Sequence, residues 1–103
     1  MDTFNIKETI IEQIKTIYDP EIPVNIYELG LIYDISVSEE GSAKILMTLT
    51  APACPAAEIL PEEVTQKAQG VSGVTEAVVE LTFDPPWSKD MMSEEAMLEL
   101  GFL

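Results

Sequence analysis

Two hydrophobic periods, one following the other, constrain this chain more than any other feature of it. Ile6, Ile10, Ile14 and Ile17 recur at spacings of 4, 4 and 3, which lays one apolar stripe along a helix. From residue 31 the period drops to two. Leu31, Tyr33, Ile35 and Val37 share one strand face, and Ala43, Ile45, Met47 and Leu49 share another after Ser38-Glu39-Glu40-Gly41-Ser42. A segment of helical period cannot rest as a strand, nor the reverse, so the chain must place a helix before a hairpin.

The punctuation agrees. Asn5 with Glu8 three residues on reads as a capping box. Pro20 disfavours helical geometry at Asp19, so the first helix is expected to stop near Tyr18. Asp19 to Gly30 reads as a loop. The second strand puts Lys44, Leu46, Thr48 and Thr50 on the face opposite its apolar set. Ala51-Pro52-Ala53-Cys54-Pro55 breaks that strand, and Pro55 suits a first helical position. Ala57, Leu60, Val64, Ala68 and Val71 continue at helical spacing, with Gly70 as the stop. Pro61 inside this run predicts a kink or a second helix start. Val74 to Phe83 reads as a third strand with Ala77, Val79, Leu81 and Phe83 inward, ended by Asp84-Pro85-Pro86-Trp87. Ser93 is placed to cap a short last helix before Gly101. The expected fold is α+β, a small two-layer α/β sandwich in the order α-β-β-α-β-α. The position of the third strand in the sheet stays open. The 103 residues suit a single domain over 1–103, with no internal repeat or linker.

Composition removes several function classes. The chain has 5 Lys and Arg against 19 Asp and Glu, a net charge of −14, and no His. All five cations are Lys, so neither a basic stripe for nucleic acid nor an Arg clamp for phosphate is available. Anionic membrane surfaces repel such a chain. Without His there is no imidazole base and no Cys–His or Ser–His pair. One Cys excludes an internal disulfide and a self-contained Cys-based zinc site. Met1 to Lys15 lacks the apolar core of a secretory signal, and no apolar run reaches the roughly 18–20 residues of a membrane span. A cytoplasmic protein with a reduced thiol is the expectation.

Cys54 is the first candidate for chemistry. Its place where a strand passes into a helix would expose the sulfur to unpaired N–H groups and the positive end of the helix dipole, which favour thiolate. Small neighbours (Ala51, Ala53, Ala56 and Ala57) leave room for approach. The competing reading is a buried Cys serving as a small hydrophobe. Asp19 and Glu21 flank Pro20 and offer two carboxylates for a cation or for acid–base work, against the plainer reading of a solvated turn. Thr48 and Thr50 offer hydroxyls beside Cys54, although Thr is also a common strand residue. Trp87, at the end of a rigid Pro-Pro step, is a candidate partner surface or a plug for the small core.

These residues together resemble a known family. Asp19-Pro20-Glu21-Ile22-Pro23-Val24-Asn25-Ile26-Tyr27, Leu29-Gly30-Leu31-Ile32-Tyr33, Thr48-Leu49-Thr50-Ala51-Pro52-Ala53-Cys54-Pro55, Asp84-Pro85-Pro86-Trp87 and Met92-Ser93-Glu94-Glu95-Ala96 are similar, in order, to segments of SufT-type proteins. Those belong to the metal-sulfur cluster biosynthetic family, which also includes PaaD and the cytosolic iron–sulfur targeting factors. The resemblance implies a fold like the C-terminal domain of iron–sulfur scaffold proteins. It implies an accessory or carrier role in iron–sulfur cluster assembly, as in the SUF system, rather than an enzyme. The family's reactive Cys falls on Cys54, its acidic loop residues on Asp19 and Glu21, and its strand threonines on Thr48 and Thr50. Ala53 stands where members more often have Gly, a small departure that leaves access open.

The cargo this implies is an iron–sulfur cluster held transiently, and none need be bound to the purified protein. A cluster normally takes four protein ligands, and this chain offers one thiol. The others would come from a second copy in a homodimer, from assembly proteins or client apoproteins, or from a small thiol. Two further readings stand beside this one. The protein is then a non-catalytic adaptor between assembly proteins and clients, or an accessory of a ring-hydroxylating oxygenase pathway in the manner of PaaD. A thiol-dependent enzyme is the least favoured, because no His or Arg is present to activate or clamp a substrate.

Overall fold

A computed structural model of the chain describes residues 3–18, 22–49 and 56–101, with residues 56–58 described by their backbone alone. Helix α1 covers Thr3–Ile14, strands β1 and β2 cover Ile32–Val37 and Ser42–Met47, helix α2 covers Ala56–Gln69, strand β3 covers Glu76–Leu81, and helix α3 covers Glu94–Glu99. A single 3-10 turn at Lys89–Met91 precedes α3. The expected order α-β-β-α-β-α is the observed one.

The apolar stripe of α1 packs as its spacing requires: Ile6, Ile10, Ile14 and Ile17 are all buried. The ends of the helix differ from expectation. Asn5 lies inside α1, where its carbonyl accepts the Thr9 hydroxyl at 2.8 Å, so it is not the cap. At the other end α1 stops at Ile14, not near Tyr18. The chain tightens there, with the N–H groups of Thr16 and Ile17 donating to Gln13 and Ile14. This turn keeps Ile17 in the core and frees Tyr18 to pair with Asn25. Packing of one isoleucine thus ends the helix before Pro20 has any say.

β1 and β2 form the expected antiparallel pair, with Ile35 opposite Ile45 and Val37 opposite Ala43. The tight turn between them needs Gly41 at φ +91°, the left-handed region that side chains avoid. The register shifts between Ile32 and Asp34. This bulge gives Tyr33 no direct partner and takes it off the core face on which strict alternation would place it. Its hydroxyl instead donates to the Pro85 carbonyl at 2.8 Å and toward Met91 Sδ at 3.4 Å.

β3 settles beside β2, parallel to it, so the sheet order is β1-β2-β3. A parallel neighbour requires a long crossover, and α2 supplies it. α2 runs through Pro61 as one helix rather than two. The missing N–H costs one bond near its start, and Thr65 returns its hydroxyl to the Pro61 carbonyl at 2.8 Å. Leu60, Val64, Ala68 and Val71 are buried against the sheet. α1 contacts β1, α2 contacts β3, and the two helices contact each other, so both lie on one face in a two-layer arrangement. β3 is shorter than the expected 74–83 and less covered. Ala77 is buried, but Leu81 and Phe83, expected to face inward, are 38% and 40% exposed. α3 is capped by Ser93, whose Oγ accepts the Ala96 N–H at 3.1 Å.

Candidate functional site

The three strands converge at one end of the sheet, where β2 hands the chain toward α2. Beyond the last ladder residue, Thr48 N–H donates to the Leu31 carbonyl at 2.8 Å, and Thr82 N–H donates to the Met47 carbonyl at 2.9 Å. The exit of β2 is therefore tied on both sides. Thr48 is fully buried, and among the described residues its Oγ1 finds no hydrogen-bond partner. A buried hydroxyl without a partner forgoes about 1–3 kcal/mol, so this atom stands out among the described residues. Thr50 and Cys54 follow between Thr48 and the first residue of α2, and Asp19 and Glu21 fall between Tyr18 and Ile22. All four lie outside the described residues.

Loop 22–31 borders this end and is held by its own geometry. Asn25 Oδ1 accepts the Glu28 N–H at 2.9 Å, Ile26 N–H donates to Ile17, and Leu31 N–H donates to Ile26. Trp87 reaches in from the C-terminal segment. Its Nε1–H donates to the Leu29 carbonyl at 2.7 Å, its ring is half-buried and packs on the core, and Ser93 N–H donates to Glu28 at 2.8 Å. Trp87 thus pins the 84–93 segment to the loop and leaves only part of its ring facing outward.

A cleft of about 280 Å³ opens between this loop and α3, lined by Tyr18, Val24, Glu28, Glu95 and Glu99 among others. Sequence reasoning missed it, because its acidic residues come from segments about 70 residues apart and no spacing links them. Glu28 has Lys15 Nζ at 3.9 Å. Among the described residues no group of three or more His, Cys, Asp or Glu is arranged to hold a metal ion. None of their helices is long and apolar enough to cross a membrane.

Thr48→Val tests what the orphaned hydroxyl does for the fold. Valine keeps the shape and removes the unpaired oxygen, so urea denaturation should show a protein more stable by about 1 kcal/mol. A clear loss of stability would mean that the hydroxyl has a partner in solution.

The class of fold is thus a small α+β domain with a buried threonine at the strand end that leads toward its one Cys. The comparisons specify it. Residues 7–81 match the family model described as iron-sulfur cluster assembly protein, and the chain belongs to that family. It is 57% identical over 97 residues to a protein of Porphyromonas gingivalis named Fe-S protein maturation auxiliary factor, covering 94% of this chain and 92% of that one. It is 35% identical to the Fe-S protein maturation auxiliary factor SufT of Staphylococcus aureus, over 82% of this chain and 97% of the relative. A solved structure of a domain of unknown function, DUF59, from Bacillus anthracis superposes with a TM-score of 0.90 at 33% identity, covering 98% of this chain and 96% of that one. Both relatives' names describe auxiliary factors, not catalysts.

Proposed function

We propose that the protein is an accessory or carrier factor in the maturation of iron–sulfur proteins, with Cys54 as a transient thiolate ligand to the cluster in transit. The observation that supports this most is the family match over residues 7–81, a span that contains Cys54. A single thiol gives a weak hold, since clusters normally take four protein ligands. A weak hold suits transfer, because the cargo leaves when the acceptor offers its own thiolates. The remaining ligands come from the donor, the acceptor, a second copy or a small thiol. Asp19 and Glu21 are harder oxygen donors and serve better in orienting partners than as primary ligands. Thr50 supplies a hydroxyl that can hydrogen-bond a cluster sulfide or the thiolate, the fully buried Thr48 hydroxyl can support the strand exit from beneath, and the outward part of the Trp87 ring adds to the surface a partner meets. The protein acts in the cytoplasm, where a reduced thiol persists.

Anaerobic reconstitution with iron and sulfide, followed by transfer to an apo-ferredoxin, tests the ligand role. Cys54→Ala is expected to lower cluster delivery by about tenfold or more, the scale on which metal sites respond to lost supporting contacts, with an unchanged far-UV spectrum. Thr48→Val should reduce delivery less while keeping the fold. Equal delivery by wild type and Cys54→Ala would overturn the ligand role and favour a non-catalytic adaptor.

A further inference from the structure

β3 is an outer strand of the sheet. It pairs with β2 in unbroken register from Glu76 to Leu81, without proline or bulge. Among the described residues no backbone hydrogen bond reaches its other side. The opposite edge is less regular, since β1 carries the bulge at Tyr33. Along β3, Val78 and Leu81 are 43% and 38% exposed. A regular edge with open apolar side chains is a template for an added strand.

Charge decides which strand fits. Pairing with β2 puts Glu76, Val78 and Glu80 on the face of β3 away from the helices, and Ala77, Val79 and Leu81 on the helix side. Glu80 has Lys44 Nζ at 3.4 Å on a neighbouring strand, and its outer side faces solvent. A second copy of this chain would bring another net charge of −14 to the same edge, which disfavours self-pairing. A strand with cations on one face and apolar side chains on the other sets its cations near Glu76 and Glu80, with their aliphatic stems over Val78 between them, and its apolar groups near Val79 and Leu81, since opposite charges on neighbouring strands attract and like charges repel.

We propose that β3 takes up an extended segment of a partner protein in which Lys or Arg alternates with apolar residues, extending the sheet by one strand. The basic side chains stand beside Glu76 and Glu80, and the apolar ones beside Val79 and Leu81. This rests on the reading that the protein works on other proteins, but not on Cys54 binding a cluster.

The test is an amide NMR titration of the cluster-free protein with a capped peptide of alternating lysine and valine. A control peptide has the same composition with its lysines and valines in separate blocks. Saturable shifts and slowed exchange at alternate amides of residues 77–81, tighter for the alternating peptide, are expected. The double substitution Glu76→Gln with Glu80→Gln should weaken binding by about fivefold, the sum expected of two exposed pairs. Shifts centred on α3 or loop 22–30, equal binding of both peptides, or no saturation would overturn the proposal. So would a concentration-dependent dimer in sedimentation with β3 protected, which would make a second copy the occupant. None of these outcomes bears on delivery by Cys54→Ala, so the two readings fail separately.

Discussion

Ile45→Ala is expected to destabilise the protein by about 4 kcal/mol, near the upper part of the range for truncating a buried isoleucine. Ile45 is fully buried on β2, the central strand, opposite Ile35 on one side and level with Val79 on the other. Its neighbours are held by two ladders, so they cannot close over the vacated space, and the cavity penalty adds to the lost transfer energy. A domain of this size has only about 5–15 kcal/mol in all. Urea denaturation followed by circular dichroism should therefore show a much lower midpoint with a similar slope. A loss below about 1 kcal/mol would mean that the helix layer relaxes onto the sheet, against the rigid packing argued above.

Gly30→Ala should cost about 3 kcal/mol for a different reason. Gly30 holds φ at +84°, and a Cβ there would run into the backbone carbonyl of Met91. The left-handed conformation alone costs a side chain about 1–2 kcal/mol, and overpacking adds about 1–3 kcal/mol. The obstacle is backbone, so no rotamer change relieves it. The 3-10 turn at Lys89–Met91 would have to move, and with it the segment that Trp87 anchors to Leu29. The stability loss in urea should therefore be joined by a shift in Trp87 fluorescence. Stability close to wild type would show that the 84–93 segment is not packed on loop 22–31 in solution.

The two variants probe different kinds of information. Ile45 is legible as a core residue from alternation alone, since each apolar position of β2 repeats at period two. The same rule misplaces Tyr33, because the bulge leaves that one residue out of the ladder while Ile35 and Val37 beyond it keep their core side, and nothing local marks it. Gly30 reads only as loop punctuation. That it faces Met91, some 60 residues on, depends on how two distant segments pack. The candidate site divides the same way. Cys54, Asp19, Glu21 and Thr50 are legible by residue type and motif, and they lie outside the described residues. Only coordinates show Thr48 to be fully buried, its hydroxyl without a partner among the described residues. Trp87 is legible as an aromatic after two prolines, but its bond to Leu29 spans 58 residues.

By itself the sequence determined the kind and order of the elements, the apolar face of α1, β2 and α2, the Ser93 cap, and the single thiol in an acidic, His-free chain. Each of these follows from residues within a few positions of one another, where periodicity and capping act. The tertiary structure alone decided that α1 stops at Ile14, that β3 lies parallel to β2 as an outer strand of the sheet, and that loop 22–31 is tied to the C-terminal segment. Those outcomes turn on which surfaces meet, and burial energy is shared between partners far apart in the chain, so no local pattern encodes them.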